Sequence, residues 1–345
     1  MSRGTAFVVG ATGLLGRSTV PALLADGWEV RAASRGGVRD ASWPEEVRAV
    51  AVDRNEEGAL AAALGEGCDV LVDMVAYGKE HGRQLSGLAD RIGSAVVISS
   101  LSVYEDSAGR SLATQGEPDG APRFPVPMAA TQNTVGADDT TYPGRKIALE
   151  QELLASPLPT TVLRAGAIHG PHCKAPRELF FVKRALDGRP VRILAYGGRS
   201  TFHPVHTSNM AELIRLAASK PGTRVLNGGD PQPPAVAEIS AAIDEVLGVR
   251  SEIVTVEGAP PEKTVGATPW SGAHPIVLDM AAAERELGYR PVTSYADSLP
   301  VTVALLAERL RGADWRVAFP DMARTYDPHG DLFDYAAEDA WLAAR

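Results

Sequence analysis

Thr5-Ala6-Phe7-Val8-Val9-Gly10-Ala11-Thr12-Gly13-Leu14-Leu15-Gly16-Arg17 decides how this chain is read. An apolar run enters a glycine-rich turn, and from Arg17 to Ala25 apolar residues recur at helical spacing. The pattern predicts a strand, a tight turn and a helix. Gly10 allows the backbone to reverse, Gly13 allows a close approach to a pyrophosphate, and Gly16 allows the helix to pack on the sheet. The N–H groups at the helix start then face the anion. The spacing is G-x-x-G-x-x-G rather than G-x-G-x-x-G, so the turn points to one subclass of dinucleotide-binding folds.

Further strand-like runs follow at Trp28–Ala33, Val47–Val52, Val70–Val72 and Ala95–Ile98, with helix-like segments at Glu56–Leu64 and Arg83–Ile92. Strands alternating with helices predict an α/β protein with a doubly wound parallel sheet of Rossmann type. In such sheets ligands sit beyond the carboxyl ends of the strands. The second strand ends Ala33-Ser34-Arg35-Gly36, with no acid placed to hold a ribose diol. Ser34 and Arg35 suit a 2′-phosphate, so NADP(H) is expected over NAD(H). Asp53, after the third strand, is placed to accept from an adenine amino group.

The stretch 105–141 breaks the rhythm, with Pro118, Pro122, Pro125 and Pro127 among Gly, Asp and Thr. It is expected to be either a lid beside the site or a mobile surface excursion. Regular structure resumes with a helix over 143–155, a strand over 160–163 and a helix over 236–247. The tail from Asp314 carries Trp315, Phe319, Tyr326, Phe333, Tyr335 and Trp341, a pattern expected to pack on its own chain or on a sister subunit.

The fifth strand runs into Ser99-Ser100-Leu101-Ser102-Val103-Tyr104, and Tyr142 precedes Lys146 by one helical turn. Residues four apart share a helix face. An ammonium beside a phenol favours tyrosinate, which equips Tyr142 to exchange a proton with a carbonyl or alcohol oxygen. Pro143 is tolerated only in a first turn, which places Tyr142 at the helix N-terminus.

Taken together, these pieces resemble the extended short-chain dehydrogenases/reductases, the NAD-dependent epimerase/dehydratase family. Leu163 to Pro171 and Leu278 to Pro291 continue the likeness, which covers roughly residues 5–310 in the family's order. The resemblance implies Ser100, Tyr142 and Lys146 as catalytic residues, with Lys146 also holding the nicotinamide ribose and Ser102 as the alternative serine. For the cofactor it implies Gly10, Thr12, Gly13, Leu14, Leu15, Gly16, Val75, Ala76, Ser99, Ala165, Gly166 and Ile168, besides Ser34, Arg35 and Asp53. Tyr77, Ser102, His169, Arg199 and His203 are the candidates for substrate contact.

The expected domains are residues 1–168 with about 200–227 for the dinucleotide, and about 169–199 with 228–310 for the substrate. An aromatic extension over 311–345 follows. Two departures weaken a nucleotide-sugar reading: Ser200 stands where such members usually have an arginine, with Arg199 offset by one, and His206-Thr207-Ser208-Asn209 replaces a motif ending in aspartates. The expected function is therefore NADP(H)-dependent reduction of a carbonyl, or oxidation of an alcohol, on a small metabolite. The alternatives are a nucleotide-sugar epimerase or dehydratase working by transient oxidation, and a non-catalytic NADP-sensing protein.

The chain has 345 residues and a net charge of −9 without a basic block, which argues against nucleic acid. No apolar run is long enough to span a bilayer and no signal peptide is seen at the start. Cys68 and Cys173 make no disulfide framework, so a cytoplasmic setting is expected. His169-x-x-His172-Cys173 lacks the further ligands of a zinc site, and no metal is expected. A homodimer through helices that include the one bearing Tyr142 is what the family resemblance implies.

Overall fold

A computed structural model describes residues 3–345. The first half alternates as expected: β1 (Thr5–Val9), α1 (Gly16–Ala25), β2 (Glu29–Ser34), β3 (Arg48–Ala51), α2 (Ala59–Leu64), β4 (Cys68–Asp73), α3 (Lys79–Ser86), β5 (Ile92–Ser100), α4 (Tyr142–Leu154) and β6 (Thr160–Ala165). The helix expected over Arg83–Ile92 lies earlier, because 87–91 form a turn and Ile92 already belongs to β5. There follow β7 (Ala167–His169), α5 (Leu179–Leu186), β8 (Val191–Leu194), β9 (Pro204–His206), α6 (Thr207–Ser219), β10 (Arg224–Gly228), α7 (Val236–Leu247) and β11 (Glu252–Thr255). The chain closes with α8 (Ala281–Leu287), α9 (Tyr295–Leu310), α10 (Trp315–Ala318), α11 (Pro320–Tyr326) and α12 (Tyr335–Ala343).

The chain divides into two compact units. The first holds residues up to 167 with 207–229 and 278–292, and the second holds 168–206, 230–277 and 293–345. The segment 278–292, expected in the smaller domain, thus belongs with the sheet. Its Leu278 bridges to Met128 and α8 packs beside β10. Residues 200–206 go the other way, because Phe202 bridges to Ile276 inside the second unit. The stretch 311–345 is part of that unit rather than a separate extension.

The first unit is built on a seven-stranded sheet in the order β10-β6-β5-β4-β1-β2-β3, with every pairing parallel. The order reverses between β1 and β4, so the glycine turn that follows β1 emerges at the switch point, where such sheets bind ligands. Gly10 N and Ala11 N both donate to Ala33 O at 3.0 and 3.1 Å, tying the turn to the end of β2. Gly10 has a φ of +87°, and a Cβ there would lie 2.7 Å from Val75 Cγ1. At Gly16 a Cβ would come within 2.2 Å of the Ala11 carbonyl oxygen, so only glycine lets α1 start against the strand exit. Phe7, Val9, Leu60, Leu64, Leu71, Leu85, Val97, Leu149 and Leu153 form one buried cluster under the sheet. Each such side chain contributes about 1.5–3 kcal/mol by leaving water.

The long stretch 105–141 carries little regular structure but is closely bonded to the rest of the first unit. Tyr104 bridges to Thr134 and Glu105 to Ser111, and Val135 N donates to Val103 O at 2.9 Å. Asp106 is its hub. Burial raises the Asp106 pKa, but the N–H groups of Arg123, Arg110 and Ala108 and the Arg110 guanidinium hold it well below the carboxylate range.

In the second unit β8 pairs with β11 and β7 with β9. Trp315, Phe319 and Phe333 are buried there. Arg184 of α5 pairs with Glu338 of α12 at 2.5 Å, lies 3.6 Å over the Phe180 ring and donates to Leu332 O at 2.8 Å. The aromatic tail therefore packs on its own chain.

Candidate active site

Thr141 caps α4: its Oγ1 accepts from Gly144 N at 3.1 Å, and Pro143 occupies the first turn. Tyr142 is therefore the first helical residue, and Lys146 follows one turn later. Lys146 is buried, with Nζ donating to Ala76 O at 2.6 Å and to Ile98 O at 2.9 Å. Ala76 follows β4 and Ile98 lies near the carboxyl end of β5, so the ammonium sits between the strand ends. Burial lowers its pKa to about 8, Asp73 and Glu150 oppose that shift, and Arg54 adds to it.

Tyr142 is 42% exposed, and its ring lies 5.4 Å from that of Tyr77. Lys146 Nζ is 5.8 Å from the Tyr142 ring. The Tyr142 pKa is raised by burial; the Ser100 hydroxyl pulls it down and Tyr77 pushes it up. The phenol is thus held protonated at neutral pH, with the Lys146 ammonium one helical turn away. Ser100 Oγ lies 2.9 Å from Ser102 Oγ and accepts from Ser102 N at 3.2 Å, which brings both candidate serines together just beyond β5.

The exit of β4 is fixed by residues that motif reading missed. Arg54 bonds to Asp73 Oδ2 and donates to Gln84 Oε1 at 2.9 Å, while Asp73 Oδ1 accepts from Val75 N at 2.9 Å. His81 Nδ1 accepts from Tyr77 N at 2.8 Å, and the Arg145 guanidinium lies 4.2 Å over the Tyr77 ring. No local spacing announces these pairings; only the fold brings Arg54 to Asp73.

The other candidates divide clearly. Gly10, Gly13, Gly16, Thr12 and Leu14 lie on the turn after β1, with Leu15 buried beneath it. Ser34, Arg35 and Asp53 follow β2 and β3; Arg35 is exposed, and Asp53 Oδ1 accepts from Asn55 N at 3.0 Å. The nearby acid Asp40 is already engaged: it pairs with Arg17 of α1 and accepts from Ser42 N and Ser42 Oγ at 3.0 and 2.6 Å. Val75 is exposed, Ala76 buried. Ser99 is a correction: its Oγ donates inward to Glu150 Oε1 at 2.5 Å, so its side chain cannot serve a cofactor. Ala165 ends β6, and Gly166 N donates to Gly228 O at 2.8 Å.

In the second unit, Ile168 is half-buried, while His169 and His203 are turned into the interior. His169 Nε2 pairs with Asp230 Oδ2 and His203 Nε2 with Asp230 O, both at 2.7 Å. Each ring thus has one nitrogen engaged by Asp230 inside the unit. Arg199 is on the surface, 2.8 Å from an equally exposed Glu257. Burial pushes the Cys68 thiol up to about 12 and that of Cys173 to about 11, so neither is a ready nucleophile. Among the described residues no group of His, Cys, Asp and Glu has the geometry to hold a metal ion. No helix among them is long and apolar enough to cross a membrane.

A glycine turn at the switch point of a parallel sheet, with a Tyr, a Lys and a Ser just beyond its strand ends, defines a nucleotide-dependent enzyme class of Rossmann type. The glycines keep the turn tight, since a Cβ at Gly10 would meet the Val75 side chain and one at Gly16 the Ala11 main chain, and a close backbone course of this kind suits a dinucleotide pyrophosphate. The family model described as "NAD dependent epimerase/dehydratase family" matches residues 6–229. This chain belongs to that family, and its fold is the family's.

Similar solved structures include a putative epimerase from Burkholderia cenocepacia, with 18% identity, a TM-score of 0.67, and coverage of 89% of this chain and 99% of that one. A UDP-N-acetylglucosamine 4-epimerase from Methanobrevibacter ruminantium matches at 15% identity and a TM-score of 0.66, over 90% and 100% of the two chains. A dTDP-glucose 4,6-dehydratase from Streptomyces venezuelae, with NAD bound, matches at 21% identity and a TM-score of 0.63, over 89% and 98%. No curated protein matches the sequence.

Proposed function

We propose that this protein is an NADP(H)-dependent oxidoreductase of the extended short-chain dehydrogenase/reductase type that reduces a carbonyl of a small metabolite. The observation that carries the reading is the triangle of Tyr142, Lys146 and Ser100, with the lysine's ammonium held by the carbonyls of Ala76 and Ile98 instead of by a carboxylate. The reduced nicotinamide, when bound, supplies the hydride. Tyr142 donates its phenolic proton to the substrate oxygen, and its raised pKa keeps that proton in place at neutral pH. The Ser100 hydroxyl hydrogen-bonds the same oxygen. Lys146, charged below a pH of about 8, stabilises the tyrosinate left behind.

The 2′-phosphate of NADP(H) is assigned to Ser34 and Arg35, beside which Asp40 is taken up by Arg17 and Ser42. The glycine turn with Thr12 and Leu14 holds the pyrophosphate, and the main chain at Val75, Ala76, Ala165 and Gly166 borders the nicotinamide. Tyr77 and Ser102 face the substrate. Tyr77 is fit for this because it packs directly on Tyr142.

A second reading, nucleotide-sugar epimerisation or dehydration by transient oxidation, is supported by the activities named for the similar structures. The offset of Arg199 by one residue from the position such members use, which is Ser200 here, argues against it. Screening purified protein with carbonyl substrates and NADPH separates the two. Net loss of NADPH absorbance supports reduction; nicotinamide that co-purifies and is not consumed supports the second reading. We also propose a homodimer across α3 and α4, where a groove of about 680 Å³ is lined by Lys79, Arg83, Asp138, Gln151 and Glu152.

A further inference from the structure

One pair of buried charges in the first unit has no place in the chemistry above. Glu150 and Arg164 are 2% and 6% exposed. Arg164 Nη2 donates to Glu150 Oε2 at 2.6 Å, and its Nε reaches both carboxylate oxygens at 3.1 and 3.2 Å. A buried ion pair repays its desolvation only with geometry this complete, and apolar residues of similar volume are often as stable. Stability alone therefore does not explain the pair.

Its connections suggest what does. Glu150 lies one turn past Lys146 on α4, and its Oε1 accepts from Ser99, the neighbour of Ser100. Arg164 Nη1 donates to Ala130 O at 3.0 Å, and the guanidinium lies 4.9 Å over the Tyr104 ring. Tyr104 Oη donates to Asn227 Oδ1 at 2.5 Å, and Asn227 Nδ2 donates to Met128 O at 3.0 Å. Two routes thus run from Arg164 to 128–130 of the long excursion, and two run from Glu150 to the catalytic residues.

We propose that Glu150 and Arg164 are positioning residues that lock the Lys146 helix and the Ser100 strand end to the 128–130 stretch, so that the seating of the excursion and the setting of the lysine change together. The inference rests on the roles given above to Lys146 and Ser100. Lys146 is also faced by Asp73 at the end of β4, Arg54 after β3, His81 on α3, the rings of Tyr77 and Tyr142, and the carbonyls of Ala76 and Ile98. Of the two acids, Glu150 alone connects the lysine to the excursion.

The test compares Glu150→Gln, Glu150→Asp, Ser99→Ala and the apolar double variant Glu150→Leu/Arg164→Met with wild type. Hydrogen exchange over 128–132 is followed by mass spectrometry, and NADPH affinity is measured from pH 6 to 10. The expected result is about tenfold faster exchange in the double variant, whose folding is preserved by matched volume. The pH midpoint of NADPH binding falls by about one unit in the double variant and in Glu150→Gln, with partial recovery in Glu150→Asp. Ser99→Ala shifts both readouts in the same direction by less. A folded double variant with wild-type exchange and midpoint overturns the proposal. Should the double variant not fold, wild-type values in Ser99→Ala overturn it. If wild-type protein binds no NADPH, the functional reading fails on that result while exchange still decides the role of the pair.

Discussion

The two units bury charge in different patterns. In the first, Arg54 with Asp73, Glu150 with Arg164, and Lys146 all lie at or beside the carboxyl ends of strands. In the second, His169 with Asp230, Arg184 with Glu338 and Arg192 with Asp244 join segments far apart in the chain. Lys146 is the buried cation of the first unit that is met by carbonyls rather than by a carboxylate. It is available to act on something else, while the three pairs named in the second unit hold one another. Polar burial at strand ends thus marks chemistry here, and polar burial between distant segments marks assembly of the fold.

Removing the phenol should break this contrast most strongly on one side. Tyr142→Phe is expected to lower turnover by about 10²–10⁴-fold while leaving the melting temperature unchanged, because Tyr142 is half-exposed. Glu338→Gln should do the reverse. Leaving Arg184 buried without its counter-charge costs about 3–5 kcal/mol, read as a lowered denaturant midpoint, with NADPH affinity unchanged in the folded protein. Gly16→Ala forces a methyl onto the Ala11 carbonyl, for an expected loss of about 1–3 kcal/mol together with weakened dinucleotide binding.

The pH dependence sharpens the comparison further. Burial and the neighbouring His169 depress His206 in the second unit to about 4, against 6.5 for an ordinary histidine. The unfolded chain then binds more protons between those values, so stability falls as pH drops from about 6.5 to about 4. Lys146, depressed by burial to about 8 from 10.5, gives the same sign in another window: stability rises as pH goes from about 8 to about 10.5. Melting temperatures against pH should show both limbs, with His206→Gln flattening the acid one and Lys146→Met the alkaline one. The smallest effect is expected at Arg199→Ala, which breaks an exposed ion pair and should leave both the melting temperature and turnover at wild-type values.

Much of the first unit was legible in the sequence because its signals are local. The glycine turn, the Tyr142–Lys146 spacing and the serines after β5 each occupy one element or one strand exit. Pro143 marked the first turn of α4 and so put Tyr142 at its N-terminus, since proline fits only the first turn. What stayed hidden depends on pairings across the chain. Arg164 finds Glu150 and Ala130, Asn227 finds Tyr104, and Arg184 finds Glu338, with no spacing to announce any of them. The partner of His169 and His203 is equally invisible in the sequence, since both meet Asp230 only in the fold. The boundary at 278–292 was hidden for a similar reason, since its place beside the sheet depends on Leu278 meeting Met128.

The most direct test of the account is a fluorescence titration of purified protein with NADPH and NADH, beside Arg35→Ala. The account predicts tighter binding of NADPH than of NADH, and loss of that preference in the variant. Equal or tighter NADH binding in wild type, or an NADPH preference that survives Arg35→Ala, would contradict it.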